Sequence, residues 1–79
     1  MQDAEGMDLI LKNNIDNWFS YHPPKPDQIP RYEAIRAKAK ELALLIAEST
    51  PQSADQSAAL RLLREAVMTA NAAIACGEA

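Results

Sequence analysis

YEAIRAKAKELALLIAESTPQSADQSAALRLLREAVMTANAAIACG, residues 32 to 77, decides the fold: two alanine- and leucine-rich runs flank a short Ser49-Thr50-Pro51 break. In the first run Tyr32, Ile35, Ala39, Leu42 and Ile46 recur at spacings of 3, 4, 3 and 4, which places them on one face of a helix. In the second run Leu60, Leu63, Val67, Ala70 and Ile74 repeat that rhythm. Ser53 followed by Gln56 has the spacing of a capping box and opens the second run, and Gly77 is a preferred residue just past a helix end. No segment alternates apolar and polar residues as a half-buried strand would, and β-branched residues are few. The spacing therefore predicts an all-α fold with two long helices packed antiparallel across a tight connection.

The first of these helices starts between Asp27 and Pro30, where proline is tolerated in a first turn, and runs to about Glu48; the second runs to about Cys76. Upstream, Leu9, Ile10 and Ile15 anchor a short helix from about Met7 to Trp18. The prolines at 23, 24 and 26 end it, because each removes an amide donor and disfavours helical geometry in the preceding residue.

At 79 residues the chain forms a single domain, 1–79, with a thin core. A hairpin plus one short helix leaves Leu44, Leu45, Leu62 and the apolar residues of the first helix without a covering layer. Domains this small are completed by a metal, by disulfides or by further copies. One cysteine, Cys76, and one histidine, His22, supply neither a disulfide nor a metal site. Assembly into a symmetric homo-oligomer is the expectation. No run has the length of a membrane span, and the acidic start MQDAEGMD lacks the basic flank of a secretory signal, which points to a cytoplasmic protein without a membrane partner.

The net charge of -3 argues against a DNA or RNA duplex as partner, yet the charge is unevenly spread. Residues 1–20 balance to -3 and residues 41–79 to -3, whereas Lys25, Arg31, Arg36, Lys38 and Lys40 against Asp27 and Glu33 give residues 21–40 a balance of +3. Positive charge thus follows directly on the cluster of Trp18, Phe19, Tyr21, His22 and three prolines, an arrangement suited to a small anion.

As catalysts these residues are weak: His22 has no nucleophile with a supporting acid in an evident relation to it, and the two glycines form no phosphate loop. The expectation is a protein that is not an enzyme and holds no cofactor. As binding groups they are better placed. Tyr21 and His22, held extended by prolines, offer flat faces on which bases stack, and Arg36 and Lys40 share a helix face at i, i+4 to hold phosphates. The same residues also admit a structural role, with Trp18, Phe19 and Tyr21 plugging the first helix onto the hairpin. For Trp18 and Phe19 the plug is the preferred reading, since large aromatics anchor cores; for Tyr21 and His22 both roles stand. Arg61, Arg64, Met68 and Asn71 follow 3, 4, 3 spacing beside the seam, a pattern that serves either a subunit interface, the preferred reading from residue types alone, or a nucleotide.

The run FSYHPPKPDQIPRYEAIRAKAKELALLI (19–46), with LREAVMTANAAIAC (63–76), resembles the small phage cyclic-nucleotide sponges, the second described family of anti-CBASS proteins. The strings F-x-YHPP, Q-x-x-RY-x-x-IR and REAVM-x-ANA carry that resemblance together, from about Asn17 to Cys76, and residues 1–16 lie outside them. It implies a non-enzymatic binder that sequesters the cyclic oligonucleotide messengers of bacterial CBASS immunity in the host cytoplasm during infection. It implies a hexamer, a trimer of interlocked dimers, with cyclic dinucleotides such as cyclic GMP-AMP between paired protomers and cyclic trinucleotides in separate sites. On this resemblance Tyr21 stacks on a base of the dinucleotide, His22 and Pro23 wall the site, and Arg36, with Lys40 as second cation, binds the phosphates; Arg64, Met68 and Asn71 belong to the trinucleotide site. The competing expectation is a helical protein–protein adaptor with no nucleotide ligand.

Overall fold

The computed structural model describes residues 7–79, and three helices account for most of them: α1 (Leu9–Trp18), α2 (Ile29–Ser49) and α3 (Ala54–Gly77). Each boundary has a local cause. At the start of α1 the Asp8 carboxylate accepts from the amides of Ile10 and Leu11 at 2.7 and 3.4 Å. Pro30 sits in the first turn of α2, where its missing donor costs no intrahelical bond. At the start of α3, Ser53 Oγ accepts from the Gln56 amide at 3.1 Å.

Two details of the expected caps differ. The Gln56 side chain does not reach back to the Ser53 amide; its Nε2 lies 3.2 Å from the Ala47 carbonyl and 3.0 Å from that of Thr50, so it ties the turn to the last residues of α2. Those carbonyls belong to a helix end and lack intrahelical donors, which makes them the stronger demand. Gly77 is the last residue of α3 without a positive φ, and the Glu78 amide closes the helix onto Ile74.

α2 and α3 run antiparallel through residues 50–53, and α1 lies against α3. On α3 the predicted seam residues Leu60, Leu63, Val67, Ala70 and Ile74 are all half-buried, and so are neighbours toward both helix ends, among them Ala59, Asn71 and Ala75. On α2 they are Tyr32, Ile35, Ala39, Ala43 and Ile46, so Ala43 replaces the expected Leu42, which is 45% exposed. A helix of 3.6 residues per turn drifts away from a strict 3.5 repeat, and the small Ala43 permits the closer approach.

The aromatic plug does not form within the chain: Trp18 is 53% exposed and Phe19 84%. Ile15 and Asn17 are instead the half-buried residues of α1, and Asn17 Nδ2 donates to the Cys76 carbonyl at 2.9 Å. The helix ends at Trp18, and the proline segment then leads the chain away before its rings can turn inward.

The molecule measures 51 × 36 × 14 Å, one helix layer thick. Its radius of gyration is 17.2 Å, against about 12 Å for a compact chain of this length. Among the described residues no hydrophobic side chain is fully buried, and Gln28, at 2% exposure, is the one buried polar residue.

Gln28 is buried because the open end of the hairpin closes around it. Its Oε1 accepts from the Lys25 amide at 2.9 Å and its Nε2 donates to Glu78 Oε1 at 3.1 Å. Arg31 grips the same carboxylate with both terminal nitrogens, at 2.8 and 2.6 Å, and Lys25 Nζ donates to the Glu78 carbonyl at 2.6 Å. The Arg31 guanidinium, and after it the Gln28 amide, hold the Glu78 carboxyl down at about 2 from an ordinary 4.5. A depressed carboxyl supports the fold fully above its unfolded value and loses that support as pH falls through the folded one. The tie is therefore expected to persist from neutral pH to about 4.5 and to fail between there and about 2. An acid titration followed by circular dichroism checks this: Glu78→Gln should flatten the titration in that window, and an unchanged curve would refute it.

Candidate functional site

The two faces of the α2/α3 seam differ in chemistry. On one, Arg36 and Lys40 of α2 stand opposite Arg64 and Met68 of α3 over a floor of Ala39, Ala43, Leu60, Leu63 and Val67, enclosing a groove of about 450 Å³. On the other, Ile35, Leu42, Ala66 and Ala70 line an apolar groove of about 480 Å³ in which Lys38 is the one charged side chain among the described residues. Residues 36, 40 and 43 lie roughly half a helical turn from 34, 38 and 42, so the grooves open in opposite directions.

The cationic face continues toward the open end of the hairpin as a second cleft of about 490 Å³, where Arg36 meets His22, Pro24, Tyr32, Glu33 and Asn71. Both volumes lie in the range of small-molecule sites. Arg36 is common to the two. Among the described residues none of Arg36, Lys40 and Arg64 forms an ion pair, whereas Arg31 is paired with Asp27 and Glu78, and Lys38 with Glu41. Three unpaired cations on one face attract an anion, and the alanine, leucine and valine floor between them suits a flat apolar surface.

His22 is fixed by its ring: Nε2 lies 2.7 Å from the Asn17 carbonyl. A carbonyl only accepts, so that nitrogen is the donor. Asn71 Oδ1 is buried without a hydrogen-bond partner among the described residues.

The residues singled out in the sequence are regrouped by this geometry within one chain. Lys40 joins Arg64 and Met68 in the groove, while Asn71 joins His22 and Arg36 in the cleft. Pro23 lines a smaller recess of about 290 Å³ with His22, Lys25 and Gln28, and Pro24 rather than Pro23 reaches the cleft. Tyr21 is 85% exposed, with its ring outside these cavities. Sequence reasoning missed Tyr32 and Glu33 as cleft residues, and the Gln28–Arg31–Glu78 cluster altogether. The signal for the cluster was present: antiparallel helices of 21 and 24 residues bring the start of one beside the end of the other, so Arg31 and Glu78 were candidates for a pair.

No curated protein and no solved structure matches the chain. The family model described as Acb2/Tad1, hairpin domain, matches residues 11–75, starting within α1 and reaching almost to the end of α3. The domain therefore takes in all of α1 but its first two residues, ahead of the motifs that begin near Asn17. With most of its length in that match, its hairpin formed and a face of unpaired cations along the seam, the chain belongs to the Acb2/Tad1 family of anti-CBASS cyclic-nucleotide sponges.

Proposed function

We propose that this protein binds cyclic dinucleotides, cyclic GMP-AMP among them, and cyclic trinucleotides without cleaving them, and so keeps the messengers from their effectors in the cytoplasm of the phage-infected bacterium. The observation that carries this reading is the face on which Arg36, Lys40 and Arg64 stand unpaired beside two open cavities. A cyclic dinucleotide presents two phosphates and two flat bases. Arg36 meets the first demand through a charge-assisted, fork-shaped contact, with Lys40 as second cation. Tyr21 stacks on a base, while His22 and Pro23 shape the wall beside it. Arg64, Met68 and Asn71 serve the trinucleotide.

The reading includes assembly, as a hexamer built from three dimers. The chain exposes 6401 Å², against about 4,700 Å² for a compact protein of its mass. The excess is about twice the 800 Å² that one partner contributes to an ordinary interface. No catalyst is required, since a sponge acts through affinity and slow release.

The test is to mix the protein with cyclic GMP-AMP or a cyclic trinucleotide, denature the complex and identify what is released. Intact ligand is expected, together with a raised Tm, because ligand at a hundred times its Kd adds about 2.7 kcal/mol of stability. Tyr21→Ala should weaken the dinucleotide and spare the trinucleotide. Linear products would show an enzyme, and the absence of any Tm shift with either ligand would remove the proposal.

A further inference from the structure

Among the described residues, the side-chain hydrogen bonds that span more than ten positions all join the segment 17–31 to residues 76–78. The loop between α1 and α2, which carries Tyr21 and His22, is thus attached at two points. At one, His22 holds the Asn17 carbonyl while Asn17 Nδ2 holds that of Cys76. At the other, Lys25 and Gln28 hold Glu78. The recess of about 290 Å³ is lined by residues of both attachments, His22, Lys25 and Gln28, and the 490 Å³ cleft adjoins it through His22 and Ala75, which line both. A polar tie therefore fastens the loop to the end of α3. Its geometry is specific: Arg31 approaches the Glu78 carboxylate with both arms, and Gln28 is shielded from water that would compete for its amide.

We propose that Glu78, held by Arg31 and Gln28, is a positioning residue for the nucleotide: it fixes the width of the cleft and the placement of residues 21–23, so that the ligand does not have to order the loop. The inference rests on the proposed reading of the cleft as a cyclic-dinucleotide site. Glu78, Arg31 and Gln28 do not themselves line that cleft, so their effect on binding is indirect. A loop ordered in advance spares the complex that entropy, and the gain appears mainly in the rate of release.

Glu78→Gln keeps the shape of the side chain and removes its charge, and Arg31→Lys removes the fork. In each, cyclic GMP-AMP is expected to leave roughly tenfold faster. Cyclic trinucleotide, held in the groove by Arg64 and Met68 and meeting the cleft only through Asn71, should be affected by a clearly smaller factor, and helix content should be unchanged. The double exchange Arg31→Glu with Glu78→Arg should restore slow release. Unaltered release in both single variants overturns the proposal, and so does a loss of both ligands in step with lost helix content, which would make the tie a matter of fold stability alone. If the unaltered protein takes neither nucleotide, the functional reading fails, and amide hydrogen exchange of residues 19–28 decides about the tie. Faster exchange in Glu78→Gln, reversed by the double exchange, upholds the positioning role; unchanged exchange overturns it.

Discussion

Arg36→Ala is expected to abolish useful binding of both cyclic dinucleotides and cyclic trinucleotides while leaving the helices intact. Among the described residues Arg36 is the one cation that borders both the cleft and the groove, so its loss is felt in each. A hydrogen bond to a charged group contributes about 1.5–3 kcal/mol, and removing a fork of two corresponds to a hundredfold or more, roughly, in Kd. The fold should not suffer, because Arg36 is exposed and has no ion-pair partner among the described residues. Arg36→Lys should recover only part of the affinity, since an ammonium group is a point charge and cannot present two parallel donors. Titration calorimetry with both ligands, at low and high salt, measures this. Full affinity in Arg36→Ala would show that the phosphates are held elsewhere.

Leu42→Asp is expected to break the assembly. In the single chain Leu42 lies 45% exposed along the apolar groove, so a carboxylate there remains solvated and costs an isolated hairpin little. If a second copy covers the groove, the same carboxylate is buried without a partner, which costs several kcal/mol. Light scattering should then report dissociation, and thermal melting should lose its cooperativity, because a layer 14 Å thick has no other means of covering its seam. A variant that keeps its mass in solution and its Tm would show that the apolar groove is not the subunit contact.

The parts of the fold legible in the sequence are those with local causes. The three prolines, the Ser53 cap and the Ser49-Thr50-Pro51 break act within a turn of the residues they govern, and the helices begin and end near them, whereas the Asp8 cap, which starts the first helix at Leu9, was not read. The α3 seam was equally legible from its period. On α2 the exchange of Leu42 for Ala43 was not, since both lie near the seam and only the close approach of α3 selects the smaller. The exposed positions of Trp18 and Phe19 were unreadable for another reason: large apolar side chains announce that burial is needed and do not say whether their own chain supplies it.

By itself the sequence determined three helices, a hairpin too thin to cover its apolar residues, and a segment of positive charge after the proline cluster; it also carried the motifs of its family. Only the tertiary structure decided that Arg36 borders two cavities, that Lys40 lies with Arg64 and Asn71 with His22, and that Glu78 closes the open end against Arg31 and Gln28. The difference is one of range. Caps and periodicity are settled by neighbours a few residues away, whereas a pair 47 residues apart meets only when two helix lengths, the turn between them and the tilt of their packing combine to bring it into register.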